Sequence, residues 1–350
     1  MISLYSHSHN LVFSQTLKHK PIRPLPDFFQ SYINSFESHL ARQEFIKNPK
    51  GLEIPIAYIC KNGGKRIRPI LVLLIAEMTK GKPAKSLDAA LSVELFHNFT
   101  LIHDDLMDQS LLRRGQPTVH EKWDDNTAIL AGDALLIMAY QQLKNYPTQL
   151  KVTMHELLSW VARIVCEGQR EDIEFESKEL ISTHQYLEMI TKKTAYLFAC
   201  ALKLGALVGG TTKKEANLFF DMGLLLGKLF QIQDDYLDAF GNTKIFGKNT
   251  GGDIRQGKKT ILFTKTMELG SESQKNRLQT LFSRKNTSPS DRLVEEVLDL
   301  FTSTKADIHT RNLISSYLEN MESQIDKLNI SPDQKQKFSQ LMSWISNRRN

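Results

Sequence analysis

The sequence predicts an all-α fold: a single-domain, layered bundle of helices. Three observations predict it. Almost every readable segment places apolar residues at three- and four-residue steps, the period of a helix. No stretch sustains period-two alternation between hairpin turns. Several segments are apolar on more than one face, as helices enclosed by other helices must be.

In chain order, residues 1–26 carry Lys18, Lys20, Arg23 and three histidines but no acid. They lack the arginine richness and amphipathic period of a transit peptide, so a flexible arm is expected there and a folded domain over 27–350. A helix is expected around 69–80. Its "ILVLLIA" at 70–76 is the longest apolar run and far too short to span a bilayer. In "LSVELFHNFTLIHDDLMD", Leu91, Leu95, Phe96, Phe99 and Ile102 form one helical stripe. Further helices are expected around 127–144, 152–169 and 184–208. In "ANLFFDMGLLLGKLFQIQDDYLDAF" the stripe is Leu218, Met222, Leu225, Leu226 and Leu229, with Gly241 as the stop. Segments 292–302, 307–328 and 333–347 complete the set.

Turn-forming residues concentrate in "KNGGKRIRP" at 61–69, "RRGQPT" at 113–118, "FGNTKIFGKNTGGDIRQGKKT" at 240–260 and "RKNTSPS" at 284–290. None resembles a linker between independent domains, and no solenoid-length repeat occurs.

A composition 41% hydrophobic and 24% charged is that of an ordinary globular protein. The net charge of +6 points to anionic partners. Cys60, Cys166 and Cys200 have no zinc-ligand spacing and read as buried free thiols in a reducing compartment, which places the chain in the cytoplasm. No secretory signal is visible.

The chemistry begins at "HDDLMDQSLLRRG". On a helix, Asp104 and Asp108 lie one turn apart, about 6 Å along the axis, and repel. Asp234, Asp235 and Asp238 in "QIQDDYLD" repeat the spacing of Asp104, Asp105 and Asp108. Both clusters sit near the C-terminal end of a long apolar helix, where the macrodipole is already negative. A divalent cation between the helix ends removes both conflicts. Carboxylate oxygens with water and phosphate are what Mg²⁺ takes. Arg113 and Arg114, then Lys65, Arg66 and Arg68, then Lys248, Lys258 and Lys259 lie in three loops around these clusters. Such loops suit a polyphosphate. No nucleotide-binding glycine motif occurs in the right context. Nothing in the pattern calls for nucleic acid.

From about residue 27 onward the chain resembles the trans-isoprenyl diphosphate synthases, the polyprenyl synthetase family. "GGKRIRP", "HDDLMDQSLLRRG", "GQREDIEFE", "TKKTAYLF", "QIQDDYLD" and "GKNTGGDIRQGKKT" match the family's motifs in order. The resemblance implies an isoprenoid synthase-like bundle around a central cavity, and a homodimer. It also implies Mg²⁺, three ions when diphosphate is bound, and condensation of isopentenyl diphosphate with an allylic diphosphate. It makes Asp104, Asp108 and Asp234 metal ligands, with Asp105, Asp235 and Asp238 supporting metal-bound water. Arg113, Lys193, Lys248 and Lys258 would hold the allylic diphosphate. Lys65, Arg68, His97 and Arg114 would hold isopentenyl diphosphate. Thr194 and Gln231 would face the developing carbocation, and Gln169 and Asp172 the metal periphery.

Phe99 lies about 7.5 Å and Phe96 about 12 Å deeper along the helix than Asp104. Within the family a large residue at the Phe99 position limits elongation. Thr100 is small where many fifteen-carbon synthases of the eukaryotic type are aromatic, and the first motif lacks the bacterial two-residue insertion. The resemblance therefore implies geranylgeranyl diphosphate as product, with farnesyl diphosphate as the alternative. A terpene cyclase is disfavoured because "DDYLD" stands where cyclases carry a different second motif. A non-catalytic regulatory subunit is disfavoured because both aspartate motifs are intact.

Overall fold

The structure, a computed structural model, describes residues 27–241, 251–283 and 290–346. Its described residues form a helical bundle, and the single sheet among them is a tiny hairpin. The arm expected at 1–26 lies outside the described residues.

Helix α4 (Ile67–Met78) is the "ILVLLIA" segment, and every residue from Pro69 to Ala76 is buried. Apolar on all faces, it has no solvent side to offer and becomes a central helix. The same holds for α10 (Tyr196–Val208), buried from Leu197 to Leu202 and from Leu204 to Leu207. Around this pair pack α5 (Leu87–Met107), α8 (Thr148–Ser177) and α11 (Lys213–Phe240). Outside α5 lies α7 (Asp125–Gln141), which starts at an Asp124 cap on the Thr127 N–H. Helix α11 starts at a reciprocal Thr212/Glu215 capping box. Near its middle, Gly223 and Gly227 let it approach Ala199 of α10 and Ala195 just ahead of that helix.

Two features depart from the periodicity reading. The segment expected as one helix at 184–208 is α9 (Thr183–Ile190), a π-helical turn (Thr191–Ala195) and then α10. Residues 112–117 form a two-plus-two hairpin, β1 (Leu112–Arg113) against β2 (Gln116–Pro117). Arg114 and Gly115 both have positive φ at its tip, as such a tight turn requires. Periodicity also missed several helices. Among them α1 (Asp27–Ala41) and α3 (Glu53–Lys61) lie before the first expected helix. Another, Glu272–Phe282, buries only Leu278 and Leu281 and so leaves little stripe to read.

Cys60 and Cys200 are buried free thiols as expected, whereas Cys166 is exposed. No helix among the described residues is long and apolar enough to cross a membrane.

Candidate active site

Asp104 stands in the last turn of α5 and Asp108 caps it. Lys193 Nζ lies 3.1 Å from Asp104 Oδ1 and 2.5 Å from Asp172 Oδ2 on α8. Lys258 Nζ lies 3.0 Å from Asp108 Oδ2, across 150 residues of sequence. Burial would raise the Asp104 carboxyl, but Lys193, Lys258 and Arg113 outweigh it and hold the group below its ordinary range. Lys193 is likewise penalised by burial, yet Asp104 and Asp172 raise it above a free lysine. It stays charged.

Lys193 and Thr194 come from the π-helical turn, whose wider ring reorients the side chains it carries. That turn is squeezed from two sides. Gly168 of α8 lies against the Lys192–Lys193 backbone, and Gly227 of α11 lies against Ala195. One turn further along α8, the adjacent acids Glu171 and Asp172 take Lys192 and Lys193 respectively. Gln169 keeps a buried amide nitrogen with no hydrogen-bond partner among the described residues.

The hairpin after α5 turns its two arginines to different tasks. Arg113 Nε donates to Asp105 Oδ2 at 2.6 Å, and its Nη2 lies 3.8 Å from Asp104 Oδ2. Asp105 is 2% exposed, and burial raises its carboxyl in spite of Arg113. Arg114 instead donates to the Gly63 carbonyl, which joins the hairpin to the loop ahead of α4. A side chain at Gly64, where φ is +126°, would come within 2.9 Å of that guanidinium.

In the same neighbourhood Arg68 Nη1 lies 3.1 Å from His97 Nε2, and the Arg68 guanidinium lies 4.4 Å from the Phe198 ring centroid. Burial first, then Arg68, Arg114 and Arg113, hold the His97 imidazole well below its usual range, so it is neutral. Lys65 Nζ is 5.9 Å from the Trp344 ring in the C-terminal helix (Pro332–Ser346). The structure thus gathers Arg68, His97 and Arg114 on one side of the Asp104 cluster, with Lys65 beside them in the same loop. Arg66, between Lys65 and Arg68, points inward to Glu37 and Glu94.

On α11, Asp234 is exposed and Asp238 half-buried. Asp235 is buried and accepts from the Tyr186 hydroxyl, from Gln231 Nε2 at 2.9 Å and from the Ile261 N–H at 3.3 Å. Burial raises its carboxyl to about 7 although those three donors oppose the shift. Thr194 Oγ1 donates to Gln231 Oε1 at 3.0 Å, which links the π-helical turn to this chain. Asp238 Oδ2 accepts the Asp253 N–H at 2.9 Å, and its carbonyl accepts the Gly251 N–H. The segment that delivers Lys258 to Asp108 is therefore anchored on the second cluster. Lys248 lies outside the described residues.

Tyr186 and Asp253 were missed as site residues in the sequence. Asp253 is half-buried beside Asp238, and desolvation followed by the Asp238 and Asp235 carboxylates pushes its own carboxyl well above the ordinary range. It lies in the motif "GGDIRQGKK" and could have been singled out there. Nothing in the sequence around Tyr186 marks it.

Phe96 and Phe99 stack edge to face at 5.4 Å on α5. Thr100 is half-buried and returns its hydroxyl to the His97 carbonyl at 2.8 Å.

The donor set fits Mg²⁺. Asp104 and Asp108 are oxygen donors, 21% and 11% exposed, with cationic neighbours that can transfer to an anion. Among the described residues no three acids, histidines or cysteines close into a ready-made cage. Mg²⁺ usually takes one or two carboxylates and completes its octahedron with waters and phosphate oxygens. Asp105 and Asp235 are turned towards protein donors.

The family profile described as polyprenyl synthetase matches residues 49–301. A geranylgeranyl diphosphate synthase of Methanosarcina mazei is 35% identical over 291 residues, 82% of this chain and 87% of that protein. A crystal structure of a geranylgeranyl pyrophosphate synthase superposes with TM-score 0.85 at 38% identity, over 94% of this chain and all of the other. The corresponding synthetase of Pyrococcus horikoshii also gives 0.85, at 31% identity over 92% and 98% of the two chains. The helical layers, the twin aspartate clusters and the match over most of the chain agree, and the chain belongs to the polyprenyl synthetase family.

Proposed function

We propose that this prenyl diphosphate synthase is a Mg²⁺-dependent trans-prenyltransferase that extends an allylic diphosphate with isopentenyl diphosphate and stops at twenty carbons, as geranylgeranyl diphosphate. The observation that carries the reading is the meeting of Lys193 and Lys258, from separate elements, at Asp104 and Asp108. Cations and carboxylates so interleaved match a ligand made of polyanion and divalent metal together.

Asp104, Asp108 and Asp234 would hold Mg²⁺, which when bound supplies charge neutralisation for the leaving diphosphate. Lys193, Lys258, Arg113 and Lys248 bind the oxygens of that diphosphate and stabilise the charge it gains as the allylic C–O bond breaks. Thr194 donates its proton to Gln231. Its oxygen lone pairs are thereby left to face the allylic cation. Lys65, Arg68 and Arg114, with neutral His97, hold isopentenyl diphosphate so that its double bond attacks the cation and forms the new C–C bond. The proton lost from the resulting tertiary cation passes to the released diphosphate, so no side-chain nucleophile or base is required. The apolar walls, Phe96 and Phe99 among them, exclude the water that would quench the cation.

Phe99 below Asp104 supports the twenty-carbon limit, as does the product named for the relatives above. A homodimer is the proposed assembly: α7 exposes Leu130 and Ile137, seven residues apart on one face, at 55% and 59%. A reducing, cytoplasmic location accords with two buried free thiols.

The test is incubation of the purified protein with isopentenyl diphosphate and dimethylallyl, geranyl or farnesyl diphosphate, with and without Mg²⁺, followed by chain-length analysis. Twenty-carbon product only with the metal is expected. A stop at fifteen would overturn the product assignment, and no condensation by folded protein would overturn the synthase reading.

A further inference from the structure

The residue just before the first aspartate has no role so far. His103 lies one turn above Phe99 on α5, and the two rings stack edge to face at 4.9 Å. Phe96, Phe99 and His103 thus form a ladder of three rings along one face of the helix, three and four residues apart. Its top rung is held from outside. His103 Nε2 lies 3.2 Å from the Ile129 carbonyl and 3.9 Å from Asp133 Oδ1, both on α7. Between these two positions is Gly132, and any side chain there would overlap the His103 ring. Gly132 is in mid-helix without positive φ, so its backbone conformation does not call for glycine. The missing side chain is space for the imidazole.

We propose that His103, seated on Gly132, is a positioning residue for product length. By clamping α5 to α7 and buttressing the Phe99 ring, it sets where that ring stands in the path of the growing chain. The proposal rests on the reading above that Phe99 is the floor of the pocket. Without the imidazole, Phe99 loses the neighbour that fixes its edge-to-face orientation and can swing aside. With a methyl group at 132, the imidazole is pushed off its seat towards Phe99 and narrows the passage.

The test is product-length analysis of His103→Ala, Gly132→Ala and Phe99→Ala beside the wild-type enzyme, with Mg²⁺, isopentenyl diphosphate and farnesyl or dimethylallyl diphosphate. Melting temperatures are measured in parallel. His103→Ala is expected to shift product beyond the wild-type length, with at least a threefold rise in the ratio of longer to wild-type product. Gly132→Ala is expected to shift the ratio towards fifteen carbons by a similar factor. A purely structural role would alter turnover or melting temperature with the wild-type distribution intact. That outcome for His103→Ala, while Phe99→Ala lengthens the product, overturns the proposal and leaves the floor reading standing. If Phe99→Ala itself fails to lengthen the product, the floor reading falls, and this inference with it. Should Gly132→Ala not fold, His103→Ala alone decides.

Discussion

Arg66 sits between two basic residues assigned to substrate, yet it faces the core. Its positive φ of 48° turns the side chain inward, where Nε lies 2.7 Å from Glu37 and Nη1 lies 2.6 Å from Glu94. Nη2 donates to the Cys60 carbonyl at 2.7 Å, at the end of α3. One guanidinium therefore ties α1, α3 and α5 together behind the substrate-facing side of the loop. Arg66 and Glu94 are 2% and 4% exposed, so removing the cation strands a buried carboxylate; Glu37, 44% exposed, contributes little. Arg66→Ala should lower stability by about 3–5 kcal/mol. The check is the urea midpoint at neutral pH, and an unmoved midpoint would show that Glu94 is accommodated without its partner. The case also shows what was legible. The spacing of Lys65, Arg66 and Arg68 announces a basic loop, but the choice of which one turns inward is made by one backbone dihedral and by acids 28 and 29 residues away.

At the scale of elements, the π-helical turn that presents Lys193 and Thr194 is the least readable feature. The one-residue expansion of the ring leaves the apolar pattern of 184–208 looking like an uninterrupted helix. The aspartate clusters were readable because their spacing conflicts with both charge repulsion and the helix dipole. Tyr186 carried no such conflict, and only the folded chain gives it its partner, Asp235. The two glycines that clamp the turn make its importance testable. Helix propensity alone would make Gly168→Ala stabilising by about 1 kcal/mol. The structure opposes this, because a methyl group at 168 would run into the Lys192–Lys193 backbone, which cannot swing away as a side chain can. Overpacking of this kind costs about 1–3 kcal/mol. The larger effect should be catalytic, since displacing Lys193 by about 1 Å can cost on the order of 10²-fold. Gly168→Ala is therefore expected to lose far more kcat/KM than stability. A variant both more stable and fully active would show that propensity, not the clamp, governs this site.

At the scale of the molecule, the apolar layers and the charged mouth have different jobs. Helices α4 and α10 are buried almost throughout and need no ligand to stay packed. The mouth, by contrast, is joined by charge across distant segments: Lys193 between Asp104 and Asp172, and Lys258 against Asp108. Mg²⁺ alone must compete with those lysines for the carboxylates, and pyrophosphate alone brings its anion close to the same carboxylates. Together the two ligands satisfy both sets, the aspartates turning to the metal and the lysines and arginines to the anion. Each should therefore strengthen the other's binding. At about 100 times its dissociation constant a ligand adds about 2.7 kcal/mol to stability. For a chain of this size that corresponds to about 4 °C in melting temperature. The measurement is a thermal scan with Mg²⁺ alone, pyrophosphate alone and both, at fixed ionic strength. The shift with both should exceed the sum of the separate shifts, and Asp104→Asn or Lys258→Gln should shrink that excess. An equal shift from Mg²⁺ alone would mean that the aspartates bind metal without help from the anion. The interleaving of lysine and carboxylate at the mouth would then have no bearing on how the ligands enter.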